Sequence, residues 1–327
     1  MFDAAQHSAD EAAWRRFDRL AVLGAIALSF GAYLLLVVTD PYDTGRFFRW
    51  PIGISDSSPR TADASRGRDP RFNAAVFGNS RGQILDPARL SDLTGRRFVQ
   101  LTVPGTRARE QLTMLHWFVR HHADIGAVVL VMDEWWCTSD PALPITSPFP
   151  FWLYADDGIV YLKSIMRTQA FDRLWRRVRV ALHMIPPNDP AGYWNYDLIP
   201  GAPPDARKLE SAAPMAMGRV PDAPFPALER LRDEIARIDP AVPIVIVAPP
   251  TFHSLLPAEG SAEAARLAAC KQALGVLAAS RPRGAFIDLL VDSPLTRDPS
   301  NFRDVIHYRG SVARGIEDAV AKAIGGG

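Results

Sequence analysis

The chain has few cysteines and almost no excess charge. Its 327 residues include only Cys137 and Cys270, so neither a disulfide framework nor a cysteine-rich zinc site can be built. A single bridge between these two is open to an exported domain, and the sequence leaves their pairing undecided. The 37 Lys and Arg residues nearly balance the 36 Asp and Glu residues. Because this balance offers no broad basic surface to phosphates, we expect no nucleic-acid partner.

Sequence motifs for metals and nucleotide phosphates are also missing. The chain has no H-E-x-x-H, no paired cysteine motif and no G-x-x-x-x-G-K-[ST] loop, so we predict no metal and no other cofactor. Its hydrophobic share of 48% is ordinary for a globular protein and is enough to bury a full core.

A long apolar run lies near the N-terminus. Residues 20–39 (LAVLGAIALSFGAYLLLVVT) carry no charge, and about 20 such residues can cross a bilayer as a helix. A cleaved signal peptide is the alternative, but the following VVTDPYD offers no good cleavage site. Arg15, Arg16 and Arg19 precede the run, and basic residues there tend to stay in the cytoplasm. We therefore predict a cytoplasmic segment 1–19, a single transmembrane anchor and an extracytoplasmic remainder.

Short apolar runs and helical patterns alternate in the rest of the chain. Residues 40–71, rich in Pro, Ser, Arg and Asp, are typical of an irregular tether or a wrapping segment, and a domain is predicted over 72–327. Continuous apolar runs predict strands buried on both faces of a parallel sheet: 74–77, 98–103, 127–132, 244–248 and 285–289. The helical patterns between them cover 109–121, 225–238 and 262–279. This alternation predicts an α/β fold, a three-layer α/β/α sandwich with about five parallel strands, interrupted by an insertion at about 138–224.

A serine follows the first apolar run. Ligands of open parallel sheets bind beyond the carboxyl ends of the strands, and this run ends in Gly78-Asn79-Ser80-Arg81. The glycine allows a sharp turn from strand to helix, from which Ser80 can project its hydroxyl. Taken alone, the same pattern is more typical of a helix N-cap.

An aspartate and a histidine follow the last apolar run, in Asp304-Val305-Ile306-His307 before a helical pattern at 311–324. A nucleophilic serine needs a base, and the base needs an acceptor that sets its tautomer. His307 and Asp304 can supply both from one loop. Because this loop and Ser80 are expected at the same edge of the sheet, the three residues are predicted to meet.

These residues resemble the motifs of the SGNH (GDSL-like) hydrolase superfamily over about 72–324. The Gly-Asn-Ser block ending at Ser80 is similar to its first block, Gly105 in LTVPGTR to its second, and Asp304 with His307 to its last. The resemblance implies a flavodoxin-like fold in which Ser80 is the nucleophile, His307 the base and Asp304 its orienting partner. It also implies that the backbone N–H groups of Ser80 and Gly105 stabilise an oxyanion.

The third block departs from the family pattern, which has Gly-x-Asn-Asp with the Asn side chain as an oxyanion donor. Here Asp133 and Glu134 follow the third run. An ionised carboxylate cannot donate a hydrogen bond, and one lost donor costs about 10²–10³ in rate. Asn79 and Arg81 are the candidates to replace that donor. With Asp133, Glu134 and His253, which follows the fourth run, they are predicted to bind substrate or to support the site.

The variant third block and the N-terminal anchor are similar to those of membrane-anchored SGNH-like proteins of bacterial envelopes. This resemblance implies a periplasmic domain on the inner membrane that acts as an esterase or O-acyltransferase on glycan or lipid-linked acyl substrates. The alternative is a non-catalytic protein for envelope assembly or glycan binding, including an accessory subunit of a multi-pass acyltransferase.

Overall fold

The structure is a computed structural model that describes residues 2–138, 148–200, 205–217 and 225–325, with the backbone alone for 2–10 and for residue 12. In the first half of the chain the helices are α1 (Phe2–Thr39), α2 (Pro59–Arg66), α3 (Pro87–Thr94), α4 (Ala108–His121), α5 (Trp135–Thr138), α6 (Phe151–Tyr154), α7 (Gly158–Ser164) and α8 (Thr168–Ala181). The later helices are α9 (Ala206–Glu210), α10 (Pro226–Ile235), α11 (Ala262–Ala279), α12 (Pro294–Arg297) and α13 (Gly310–Gly325). Short 3₁₀ helices cover Ser80–Gly82, Tyr196–Leu198, His253–Leu255 and Pro299–Asn301.

Five strands form one parallel sheet, as the apolar runs predict. The strands are β1 (Ala74–Gly78), β2 (Phe98–Thr102), β3 (Ala127–Val131), β4 (Ile244–Ala248) and β5 (Gly284–Asp288). They pair in the order β2-β1-β3-β4-β5, with every pairing parallel. Every residue of β1 to β4 is buried, whereas the edge strand β5 is half-buried. The prediction of an α/β protein with a parallel sheet is confirmed.

Alternate strand residues contribute to two different buried clusters. Phe77 and Leu130 belong to one cluster, together with Phe118 of α4. Their strand neighbour Val76 belongs to the other, together with Ile316 of α13. Successive residues of a strand point to opposite faces of the sheet, so two covered faces require apolar residues at every position. This requirement explains why the runs are continuous rather than alternating.

The strand order creates a switch point at the carboxyl end of β1. The chain leaves β1 toward β2 on one side, and β3 pairs on the other side of β1. Crevices at such points are where open α/β sheets bind ligands. The residues directly after β1 therefore occupy the position best suited to a site.

Part of the segment 40–71, predicted to be an irregular tether or a wrapping segment, packs against the domain. Helix α2 lies within it, and Ala62 and Ala64 are buried. The indole N–H of Trp117 on α4 donates to the carbonyl oxygen of Ala64 at 3.0 Å. The predicted domain boundary at residue 72 and the insertion boundaries stay predictions.

Helix α1 is the one helix in the described part of the chain that is long and apolar enough to cross a membrane, over 13–39. Only 6% of its apolar window is buried within the protein. The exception is its last part, where Leu36 is fully buried and α8 packs alongside. The apolar N-terminal helix that the sequence predicts is thus present, and its end is fastened to the domain.

A disulfide joins Cys137 of α5 to Cys270 of α11, which answers the pairing that the sequence left open. Both cysteines are buried. The bridge closes a separation of 133 residues and ties the segment after β3 to the helix between β4 and β5.

Candidate active site

Gly78, at which β1 closely approaches β3, leads into the turn that carries Ser80. Gly78 ends β1 with φ of 156°, and a Cβ atom there would lie 2.9 Å from the carbonyl oxygen of Val131 on β3. Only glycine fits this position without moving a neighbouring backbone. Asn79 then caps the 3₁₀ helix Ser80–Gly82, its Oδ1 accepting the backbone N–H of Arg81 at 3.1 Å. Ser80 is thereby held at the carboxyl edge of the sheet, at the switch point.

The pentapeptide from Gly78 to Gly82 also has the spacing of the G-x-S-x-G nucleophile elbow. A Cβ atom on Gly82 would lie 3.1 Å from Thr102 Cγ2 and 3.3 Å from Val131 Cβ, so this glycine allows the turn to pack on β2 and β3. However, Ser80 begins a 3₁₀ helix and is not among the residues with positive φ. The strained backbone of a true elbow is therefore not used here.

One carboxylate shapes the loop that carries His307. Asp304 Oδ1 accepts the backbone N–H groups of Ile306 and His307, each at 2.9 Å. Its Oδ2 lies 2.8 Å from His307 Nδ1. A bridge between Phe302 and Tyr308 closes the base of the loop. Asp304 thus both folds the loop back and orients the imidazole ring.

The structure brings Ser80, His307 and Asp304 into one hydrogen-bonded chain. His307 Nε2 lies 2.9 Å from Ser80 Oγ, across 227 positions of sequence. Because an ionised carboxylate only accepts, the Nδ1 atom facing Asp304 carries the proton and Nε2 presents its lone pair to the serine hydroxyl. Such an arrangement can remove the proton from a serine as it attacks a carbonyl carbon.

The pKa of Asp304 is lowered. Burial acts to raise it, but the hydrogen bonds from His307 and from the backbone N–H of Ile306 together outweigh that effect. The group is therefore a carboxylate at neutral pH, as an acceptor that stabilises an imidazolium must be.

Tyr196 supports His307 from the predicted insertion, and sequence reasoning missed it. Its ring meets the His307 ring edge-on, with 5.3 Å between centroids and an interplanar angle of 71°. The Tyr196 hydroxyl donates to the carbonyl oxygen of Tyr308 at 2.8 Å. The Tyr308 hydroxyl in turn donates to the carbonyl oxygen of Arg81 at 2.6 Å. No local sequence pattern around Tyr196 predicts its contact with His307, because its partners lie more than a hundred residues away in the chain.

The residues after β3 face the turn that carries Ser80. Asp133 is buried and its Oδ2 accepts from Asn79 Nδ2 at 2.5 Å, while Glu134 Oε2 accepts from Arg81 Nη1 at 3.2 Å. Asn79 and Arg81, the two candidates for the missing oxyanion donor, are therefore hydrogen-bonded to Asp133 and Glu134, the carboxylates that stand in the place of the family's asparagine. Arg81 Nε and Nη2 have no hydrogen-bond partner within the described ranges, but both atoms are fully buried.

The pKa of Asp133 is raised to about 6. Burial is the main cause and the nearby charge of Glu134 adds to it, whereas Arg81 and the hydrogen bonds from Asn79 and Trp135 act in the opposite direction. The ionised form of Asp133, which cannot donate a hydrogen bond, therefore predominates at neutral pH.

Two backbone N–H groups at the carboxyl edge of the sheet, where Ser80 lies, have no hydrogen-bond partner among the described residues. Gly105 lies in the turn after β2 with φ of 67°, and Arg60 of α2 steadies that turn by donating to the carbonyl oxygen of Pro104 at 2.8 Å. The N–H groups of Ser80 and Gly105 make no hydrogen bond to any described residue. They follow the adjacent strands β1 and β2 and are free to serve as oxyanion donors.

His253 belongs to a different group of side chains. It follows β4, but its Nε2 lies 3.0 Å from Glu210 Oε2 on α9, so its partner is a carboxylate and not Ser80 or His307. Nor do the described residues hold any cluster of three or more His, Cys, Asp or Glu side chains suited to a metal ion.

Comparison with known proteins gives no relative from which a function could be transferred. No family model matches the chain, and no curated protein is significantly similar to it. The chemistry of the site is therefore inferred from its geometry.

Proposed function

We propose that this chain is a membrane-anchored SGNH-type serine esterase or O-acyltransferase. The observation that carries the proposal is the hydrogen-bonded chain from Ser80 Oγ through His307 to Asp304, with distances of 2.9 and 2.8 Å. Further support comes from the strand order β2-β1-β3-β4-β5 and from the two buried clusters that share the strands. Both fit the three-layer α/β/α sandwich of that superfamily.

In the proposed reaction, His307 Nε2 takes the hydroxyl proton of Ser80 as Oγ attacks the carbonyl carbon of an ester or thioester. The carbonyl electron pair moves to oxygen, where the N–H groups of Ser80 and Gly105 stabilise it. Asp304 stabilises the imidazolium. The intermediate collapses as His307 returns the proton to the leaving alcohol or thiol. Water or a sugar hydroxyl, deprotonated by His307, then attacks the acyl-serine and restores the Ser80 hydroxyl.

The proposed setting is the outer face of a bacterial inner membrane. The apolar α1 can span the bilayer, and Arg15, Arg16 and Arg19 precede its most apolar part. The buried disulfide between Cys137 and Cys270 fits an oxidising compartment, because cytosolic thiols are kept reduced. An anchored site of this kind is suited to glycans or lipid-linked acyl donors held close to the membrane.

Asp133 favours a second candidate, a protein that retains the fold without efficient turnover. Asp133 and Glu134 occupy the place of the side-chain donor and engage Asn79 and Arg81. Loss of one oxyanion donor costs about 10²–10³ in rate. Such a protein would serve envelope assembly or glycan binding, or would relay acyl groups for a multi-pass acyltransferase.

The test uses the full chain in detergent, since residues before 72 pack against the domain. Release of p-nitrophenol from its acetate ester and acetyl transfer to oligosaccharides are measured for wild type, Ser80→Ala and the control Ser300→Ala, which removes an exposed hydroxyl. We expect only Ser80→Ala to lose activity, and a fluorophosphonate to label Ser80. Equal activity of Ser80→Ala and wild type would exclude the esterase. Complementation of a deletion strain by both Ser80→Ala and His307→Ala would favour the second candidate.

A further inference from the structure

Outside α1, helix α8 also exposes large apolar side chains. Phe171, Trp175 and the half-buried Val178, with Leu182 directly after the helix, recur at intervals of four, three and four residues, which places them on one stripe. Trp175 is 58% exposed and Leu182 is 64% exposed. The opposite side of the helix, which includes Ala170, is buried. Helix α8 therefore has one face against the domain and a second, apolar face that the described part of the protein leaves uncovered.

Hydrogen bonds place α8 beside the end of the apolar helix α1. The indole N–H of Trp50 donates to the carbonyl oxygen of Val38, in the last turn of α1, at 2.9 Å. The carbonyl oxygen of Trp50 accepts in turn from Arg177 Nη2 of α8 at 3.0 Å. Tyr161 of α7 donates to Asp40 Oδ1 at 3.0 Å. Because the uncharged run ends at Thr39, α7 and α8 lie where a membrane-spanning α1 would leave the hydrocarbon.

The same region exposes further apolar side chains and contains arginines. Phe47, Phe48 and Trp50 are each more than 40% exposed, and tryptophan is enriched at the boundary between bilayer and water. Helix α8 contains four arginines and one aspartate, but Arg177 is buried against Asp43 and Arg173 pairs with Asp56. Arg179 forms no ion pair with a described residue and lies one turn after Trp175, and a basic residue that borders an apolar stripe is typical of helices that lie in the plane of a membrane.

We propose that α8, α7 and residues 47–50 form a membrane-contact surface that lies in the headgroup region of the leaflet from which α1 emerges. The occupant is a phospholipid leaflet, because the surface continues directly from α1. Contact along α8 in addition to the anchor holds the domain in one orientation on the membrane. This inference rests on α1 spanning the bilayer and is independent of the chemistry proposed for Ser80.

Cysteine labelling can test the proposal, since the two native cysteines are joined and none is free. The full chain is reconstituted in vesicles of phosphatidylcholine and phosphatidylglycerol, with an environment-sensitive fluorophore on Trp175→Cys. The control is Val276→Cys on α11, a position 59% exposed and therefore as accessible as Trp175. We expect the label at 175 to emit at shorter wavelength and to be quenched by lipids spin-labelled near the headgroup, and the label at 276 to show neither effect.

A second variant pair separates the surface from the anchor. A label on Leu182→Cys is expected to lose its quenching by lipid when Phe171 and Trp175 are both changed to Glu, although α1 still holds the chain in the vesicle. Circular dichroism of this variant should match wild type, since both side chains point away from the core. Lipid quenching at 175 no stronger than at 276 overturns the proposal. So does protection of that label from both lipid and aqueous quenchers, which would show that protein covers the face.

Discussion

Replacing Asp304 by Asn changes the hydrogen-bond chemistry of the proposed site while keeping its shape. The Asn oxygen can still accept the backbone N–H groups of Ile306 and His307, both at 2.9 Å from Asp304 Oδ1, so the loop should persist. The amide nitrogen would then replace Oδ2, which lies 2.8 Å from His307 Nδ1. Because that nitrogen donates, Nδ1 must accept and the ring proton moves to Nε2. Nε2 can then no longer accept the proton of Ser80.

The expected loss follows from how exposed Asp304 is. The same change at a buried aspartate of a Ser-His-Asp triad lowers kcat by about 10⁴, or about 5 kcal/mol at 1.36 kcal/mol per tenfold change. The Asp304 side chain is 50% exposed, so water can partly take over its role. We therefore expect kcat for ester hydrolysis to fall by about 10²–10³ with little change in KM.

The matched control is Asp298→Asn. Asp298 also accepts a backbone N–H, that of Ser300 at 2.8 Å, and its carboxylate has no histidine partner among the described residues. Its variant should keep wild-type kcat, measured by p-nitrophenyl acetate hydrolysis with the full chain in detergent. Wild-type kcat for Asp304→Asn, with Ser80→Ala inactive, would refute the idea that Asp304 sets the tautomer of His307.

Three further predictions concern stability, measured as thermal unfolding of the full chain in detergent. Gly78→Ala should cost about 1–3 kcal/mol from overpacking against β3, whereas Gly315→Ala within α13, where nothing lies within 4 Å of the new Cβ, should cause no loss because alanine favours helix; equal losses would contradict this. Replacing both Cys137 and Cys270 by Ala should lower the unfolding temperature, because the free energy of unfolding falls by up to about 5 kcal/mol for a loop of this length. An unchanged temperature would argue against the bridge. In wild type the pKa of Asp133 is about 6, above the ordinary aspartate value of about 3.9. The protonated carboxyl therefore contributes its full stabilisation below about pH 3.9, and this stabilisation is lost as pH rises through about 6. Asp133→Asn should therefore gain stability relative to wild type between these pH values, and a constant difference would refute the raised pKa.

Tertiary structure corrected the simple picture of the site at its third block. From the sequence, Asn79 and Arg81 are free candidates for a missing donor, but the fold commits them to Asp133 and Glu134. His253 follows β4 as expected but pairs with Glu210. These partners lie far apart in the chain. Which groups a side chain pairs with depends on distance and burial in the folded protein, and a local sequence pattern does not contain that information.

The sequence by itself determined the elements that depend on local order. Uninterrupted apolar runs specify strands buried on both faces, an uncharged run of bilayer length specifies α1, and parallel strands direct Ser80 and the loop of His307 to one edge of the sheet. Only the tertiary structure decided which groups meet there: the 2.9 Å contact between His307 and Ser80, the support from Tyr196 and the packing of α8 beside α1. Periodicity acts over a few residues, whereas these contacts form only after the chain has closed loops of a hundred residues or more.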